Sequence, residues 1–330
     1  MIGNRSFAPH PNHPSRPHDA RLAKSHSAEA EQPLPGHRQI RHGAYNRHDP
    51  TGRYDRHARH SLPVSCRNRS MRDTRRLRFQ GSGGTLVGIL ERPVESVRFV
   101  ALLTHCFTCT KDLKSIVRLS RELVRHGIAA FRYDLTGLGE SDGDFSRSTF
   151  ADDVADLHAA LAYLADEVEP VRLLIGHSLG GAASLAAAAT RSGRRGAERL
   201  AGVATLAAPS ETPHLADILV RLDPNLASAP RGNVSIGGQK FEIDRVKLEG
   251  LRGYDLPGTI EGLDLPTLLF HSLTDETVGV RHVEQLRNRL GANCSTMILP
   301  DADHLFVRDP RDVPFLADTI SLWAARQGIG

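Results

Sequence analysis

Three short stretches of this 330-residue chain carry side chains spaced for chemistry. "LLIGHSLGG" sets Ser178 between Gly176 and Gly180. "LLFHSLTDETV" places Asp275 just after an apolar run, and "MILPDADHLF" places His304 just after the next one. A serine hydroxyl is a weak nucleophile until a base removes its proton. A histidine with a near-neutral pKa is the natural base, and a carboxylate fixes its tautomer. Serine, acid and histidine in that chain order suit attack on an acyl carbonyl. The glycines have a steric reason. A serine lifted onto a sharp strand-to-helix turn needs neighbours without a Cβ, so Gly176 and Gly180 form the elbow.

Each candidate has rivals. Glu276 adjoins Asp275. Asp301 and Asp303 adjoin His304, but an acid so close in sequence rarely reaches the ring nitrogen of its neighbour. His271 falls inside a strand and His282 in the following helix, so neither follows the acid by one strand. His177 is expected to point away from the serine and pack under the turn. Acyl chemistry also needs two N–H donors for the oxyanion. The backbone N–H of Leu179, opening the helix after Ser178, is one. The second is expected from "THCFTCTKD", at the backbone N–H of Phe107. That loop also carries Cys106 and Cys109 as C-x-x-C, which reads as a redox pair or as the wall of the oxyanion site; the wall is preferred. Thiol reagents at Cys106 would then block the site without any redox role. In "RYDLTGLGESDGDF", Asp134 is expected to bind backbone amides around the elbow. The Lys-Ser/Thr ending of a phosphate loop is missing there.

These residues need a scaffold that presents strand ends on one edge, and the patterning supplies it. "RRLRFQ" and "TLVGILERP" read as strands joined by "GSGG". "VRFVALLTH", "IAAFRYDL", "VRLLIG", "LAGVATLAAP", "PTLLFHS" and "STMILP" are apolar runs of doubly buried strands. Helical patterns lie between them over 111–127, 150–167, 179–190 and 283–290, and a last one over 314–326. The alternation predicts an α/β fold with a mostly parallel central sheet and helices on both faces. Residues 211–262 interrupt it with two helical pieces around a hairpin that turns at Gly237-Gly238, a small cap insertion.

Composition bounds the rest. Residues 1–70 hold 12 of the 42 Lys and Arg, 5 of the 38 Asp and Glu, 9 of the 17 His and 8 of the 19 Pro. Such a segment buries too little apolar surface to offset its ordering entropy, so it reads as a disordered basic extension, with 71–330 as the folded domain. Met71 is a candidate start. The histidines are not at metal-site spacing, and no metal or cofactor is expected. Nucleic acid would be bound through the basic extension alone. No apolar run is long enough for a membrane span. Four cysteines and no apolar leader point to a reducing cytoplasm.

The motifs "THCFTCTKD", "RYDLTGLGESDGDF", "LLIGHSLGGAA", "LLFHSLTDETVGV" and "DADHLF" together resemble the α/β-hydrolase superfamily, in its serine aminopeptidase-like branch. They are most similar to the hydrolase half of bacterial proteins fused to an OsmC-type peroxidase domain. The likeness runs through the cap, including "GGQKFEIDR". It implies Ser178 as nucleophile, Asp275 as acid and His304 as base, with a small-molecule acyl substrate. Cys106 stands where many relatives have glycine, which narrows the pocket. No OsmC-type domain follows Gly330, so a separate redox partner of that type is an expectation. Two other readings stay open. One is an aminopeptidase whose cap acids Asp223, Glu242 and Asp244 hold an α-amino group. The other is a non-catalytic partner module.

Overall fold

The computed structural model describes residues 72–330; the expectations for 1–70 and for Met71 lie outside the described residues. In chain order the elements are β1 (Arg72–Gln80), β2 (Thr85–Pro93), β3 (Phe99–Thr104), α1 (Lys114–Arg125), β4 (Ile128–Tyr133), α2 (Phe150–Glu167), β5 (Val171–His177), α3 (Leu179–Ala189) and β6 (Gly202–Leu206). There follow α4 (Pro213–Leu222), β7 (Arg231–Ile236), β8 (Gln239–Asp244), α5 (Arg245–Gly253), α6 (Leu256–Thr259), β9 (Thr267–Ser272), α7 (Arg281–Leu290), β10 (Cys294–Leu299) and α8 (Asp312–Arg326).

Eight strands form one sheet in the order β1-β2-β4-β3-β5-β6-β9-β10. The pairs β1–β2 and β2–β4 are antiparallel and the rest are parallel. Every residue of β3, β4, β6 and β9 is buried, as expected for strands covered on both faces. Helices α1 and α8 cover one face with Ile116, Leu119, Leu123, Leu316 and Ile320; α2, α3 and α7 cover the other. From β3 the chain winds one way to β4 and the other way to β5. The strand ends beside that reversal are where α/β sheets place ligands.

Local chemistry sets the element boundaries. Helix α2 opens on a capping box in which the Thr149 hydroxyl accepts from the Asp152 N–H and the Asp152 carboxylate accepts from the Thr149 N–H. Helix α4 opens with Pro213 in its first turn. The cap segment between β6 and β9 holds α4, the β7–β8 hairpin, α5 and α6. Its hairpin pairs Ile236 with Gln239 and turns through Gly237 and Gly238, at φ +59° and +79°. Only glycine adopts two successive positive φ values at little cost.

The sequence reading differs from the fold by two or three residues at several element ends, as where the helix read from 111 begins at Lys114 and that read from 314 begins at Asp312, and by one added helix. Strand β1 begins at Arg72 rather than Arg75, because its register with β2 runs on to Pro93. The short α6 is new; Asp255 caps it by accepting from the Gly258 N–H at 2.9 Å.

Candidate active site

Ser178 sits between β5 and α3 with φ 52° and ψ −122°, a backbone region that side-chain-bearing residues rarely occupy. The turn is held by its own amide, which donates to Leu206 O of the neighbouring strand at 2.8 Å. A Cβ on Gly176 would collide with the carbonyl of Gly180, and one on Gly180 with the carbonyls of Thr104 and His105. Neither position has room for a side chain. The hydroxyl opens onto a cavity of about 630 Å³ whose wall includes Cys106, Phe107, Cys109, Leu215, Ile218, Ile236 and His304.

Asp275 and His304 come together, although 29 positions separate them. His304 Nδ1 lies 2.7 Å from Asp275 Oδ2. The other carboxylate oxygen accepts from the Thr277 and Val278 amides at 2.9 Å each. Burial pushes the Asp275 carboxyl up, but the hydrogen bond and charge of His304, with those amides, outweigh it and hold the carboxyl below its usual range. An ionised carboxylate only accepts, so His304 Nδ1 carries the proton. Its other nitrogen, Nε2, is left for the cavity that His304 lines.

The rivals serve other ends. His271 Nε2–H donates to Val278 O at 2.7 Å from inside β9, bracing the Asp275 loop. His282 is fully buried beside Ser210, 2.8 Å from its hydroxyl. Glu276 and Asp301 are exposed. Asp303 folds its own loop by accepting from the amides of Leu305, Val307 and Arg308.

His177 lies under the elbow, as expected, and does more than pack. Its Nε2 is 2.7 Å from the backbone oxygen of His304. A carbonyl only accepts, so Nε2 is protonated; Nδ1 is buried without a partner. Burial, helped by the neighbouring His304, pushes the ring's pKa down to about 3, so His177 is neutral and donates one fixed hydrogen bond.

The Phe107 loop is built in the same way. His105 Nδ1 lies 2.8 Å from Cys106 O, and its Nε2 accepts from the Leu135 N–H at 3.2 Å. Burial lowers its pKa too. The Cys109 N–H also donates to Cys106 O, at 3.2 Å. With that carbonyl tied down, the trans peptide turns the Phe107 N–H the opposite way. Leu179 offers the first N–H of α3, which has no acceptor within its helix.

Asp134 binds amides as expected, at Lys111 N (2.7 Å) and Glu140 N (3.0 Å). It also holds the buried Lys111 ammonium at 2.8 Å, which the sequence reading missed. Lys247 of α5 was missed as well. Its buried ammonium lies 4.1 Å from the Phe145 ring centre, 5.2 Å from that of Phe107 and 3.1 Å from the Ser148 hydroxyl. Burial drives its pKa down to about 8, against the pull of Asp153.

One expectation needs correction. Cys106 and Cys109 are joined in a disulfide, with their Cα atoms 5.3 Å apart, so Cys106 offers no free thiol. Adjacent turns of one tight loop bring the two sulfurs within bonding reach. Among the described residues no group of three or more His, Cys, Asp or Glu side chains is placed to hold a metal ion. None of their helices is long and apolar enough to cross a membrane.

A mostly parallel eight-stranded sheet with an elbow serine after its fifth strand is the architecture of an α/β-hydrolase. The family described as serine aminopeptidase, S33, matches residues 109–234. The esterase domain of a Rhodothermus marinus protein is similar over 77% of this chain and 98% of its own, at 34% identity and a TM-score of 0.60. Est1E from Butyrivibrio proteoclasticus, solved with ferulic acid bound, shares 20% identity over 76% of this chain and 98% of its own, with a TM-score of 0.65. Mouse alpha/beta hydrolase domain-containing protein 10 shares 18% over 77% and 99%, with a TM-score of 0.62. No curated protein matched. The chain belongs to the α/β-hydrolase superfamily, in its serine aminopeptidase-like branch, and is a hydrolase enzyme.

Proposed function

We propose that the protein is a serine hydrolase that cleaves small carboxylic esters or thioesters through an acyl-enzyme. The observation that carries this reading is the Asp275–His304 bond of 2.7 Å beside a strained Ser178 that faces the same cavity. Ser178 Oγ attacks the acyl carbon and its proton passes to His304 Nε2. The resulting imidazolium is stabilised by Asp275. The carbonyl oxygen becomes an oxyanion between the N–H groups of Phe107 and Leu179. Collapse expels the alcohol or thiol, protonated by His304. Water, activated by the same imidazole, then releases the acid.

The cap supports an apolar acyl group. Leu215, Ile218 and Leu222 of α4 and Ile236 of the hairpin line the cavity wall. The acids that an aminopeptidase would use are committed elsewhere, and none lines the cavity. Asp244 meets Arg147 at 3.1 Å and Arg231 at 3.3 Å; Glu242 meets Arg231 at 3.2 Å. Asp223 accepts from the Asn225 and Asn233 amides. This favours ester or thioester over peptide.

The test is fluorophosphonate labelling read by intact mass, on wild type and Ser178→Ala, beside turnover of p-nitrophenyl esters from acetate to octanoate. One adduct on wild type, none on the variant, and turnover that peaks at butanoate to octanoate is the expected result. No adduct on wild type would overturn it.

A further inference from the structure

We propose that the Cys106–Cys109 pair is a redox site within the catalytic cavity, open to low-molecular-weight dithiols, whose state sets how firmly the Phe107 N–H is held. The second half rests on the proposed role of Phe107 in acyl transfer.

Three observations converge. Both cysteines line the cavity that holds Ser178 and His304. Cys106 is 6% exposed and Cys109 is half-buried, so a reductant small enough to enter the cavity reaches the more open sulfur first. The covalent ring closes over Phe107 and Thr108 and therefore contains the Cys106–Phe107 peptide. A ring this short constrains the unfolded chain less than any longer one, so the bond's main effect is local. The fourth cysteine, Cys294, is free and starts β10, at the end of the parallel strands away from the site.

The exchange balances as follows. One thiolate of the dithiol attacks Cys109 Sγ. The Cys106–Cys109 bond breaks, a mixed disulfide forms, and Cys106 leaves as a thiolate that takes up a proton. The second thiol of the reductant attacks its own sulfur in the mixed disulfide, closing a cyclic disulfide and freeing the Cys109 thiol. Two electrons and two protons pass to the protein. The reduced loop keeps its hydrogen bonds from His105 and the Cys109 N–H to Cys106 O but loses its covalent tie. The donor is loosened, not removed. The expected fall in kcat is about tenfold, short of the roughly 10²–10³-fold cost of losing an oxyanion donor.

The experiment uses the full chain carrying Cys66→Ser and Cys294→Ser, so that Cys106 and Cys109 are its only cysteines, equilibrated across mixtures of reduced and oxidised dithiothreitol. Iodoacetamide mass counts the thiols; fluorophosphonate labelling rate and p-nitrophenyl butanoate kcat read the site. The expected result is a two-thiol transition along which kcat and labelling rate fall together, reversed on reoxidation. Cys109→Ser should stay at the reduced enzyme's rate in every mixture. Two alkylated cysteines under all oxidising mixtures would overturn the proposal. So would a clean two-thiol transition with unchanged kcat, and that result leaves the serine hydrolase reading standing. No adduct and no turnover in either state would instead sink that reading, and the control of Phe107 with it.

Discussion

Two histidines end two neighbouring strands, and each holds a carbonyl of a site loop. His105 follows β3 and binds Cys106 O; His177 ends β5 and binds His304 O. Both are buried and driven neutral by burial. Their surroundings differ. His105 has both nitrogens engaged, and its loop gains a second hydrogen bond to Cys106 O and a disulfide. His177 leaves Nδ1 without a partner, and the loop it holds turns through Phe306 at φ 54°. One side is fixed several times over. On the other, His177 gives His304 O its one side-chain tie, Asp303 folds the loop around it, and the proposed scheme asks the His304 ring to trade a proton with two oxygens in turn. An oxyanion donor works by standing still, since its value lies in preorganisation. A general base has to serve both attack and departure.

The largest effect lies where the two sides meet. Ser178→Ala should lower kcat by roughly 10⁴-fold or more while the unfolding midpoint stays close to wild type. Esterase rates and thermal melts check it; a variant that keeps measurable fluorophosphonate uptake would break the scheme. Next, Asp275→Asn should cost roughly 10³–10⁴-fold in kcat, since the wrong tautomer would be favoured at His304. Single-turnover acylation rates would show it.

The contrast between the histidines sharpens with paired variants. His105→Gln should weaken a tetrahedral inhibitor such as a trifluoromethyl ketone by about tenfold or more, with the pH–rate profile unmoved. His177→Gln should shift the acidic limb of that profile and alter inhibitor affinity less, because it touches the base and not the donors. Equal effects of both variants on both readouts would erase the distinction.

The smallest effect is on stability. His158, 8% exposed and 3.0 Å from the Thr190 hydroxyl, has its pKa pushed down to about 4 by burial and then by Arg194. Between the unfolded value of about 6.5 and that lowered one, the unfolded chain binds more protons, so stability falls as pH falls. His158→Gln should recover roughly 1–2 kcal/mol of the loss at pH 4, a figure set below full conversion because solvent still reaches part of the ring. Urea unfolding from pH 7 to 4 measures it.

Some of this architecture is readable without coordinates. Apolar runs such as "VALLT" and "LLIGH" leave little choice but doubly buried strands, and Gly176 and Gly180 flank a serine in a way only a tight elbow explains. Ser178, Asp275 and His304 stand out as candidates because each directly follows an apolar run, in the order Ser, acid, His. The supporting residues were hidden because each depends on a partner far along the chain. Nothing beside His177 in sequence announces a bond to His304 O, nor does Lys111 announce Asp134. The first residues of β1 escaped for another reason. An edge strand reading "RDTRR" is mostly exposed, so pairing with β2 rather than hydrophobicity defines it. The state of Cys106 and Cys109 is a matter of distance, which spacing alone does not fix.

One feature of the sheet bears on how such an enzyme changes. The cap leaves from the end of β6 and returns at the start of β9, and those two strands are hydrogen-bonded neighbours, with Val203 opposite Thr267. The excursion over the cavity therefore begins and ends on the same seam. None of the sheet's strand pairings runs through that segment, so its length and residues stand apart from the pairings that set the strand ends before Ser178, Asp275 and His304. Recombination along this seam would give hydrolases with one sheet and many cavity walls.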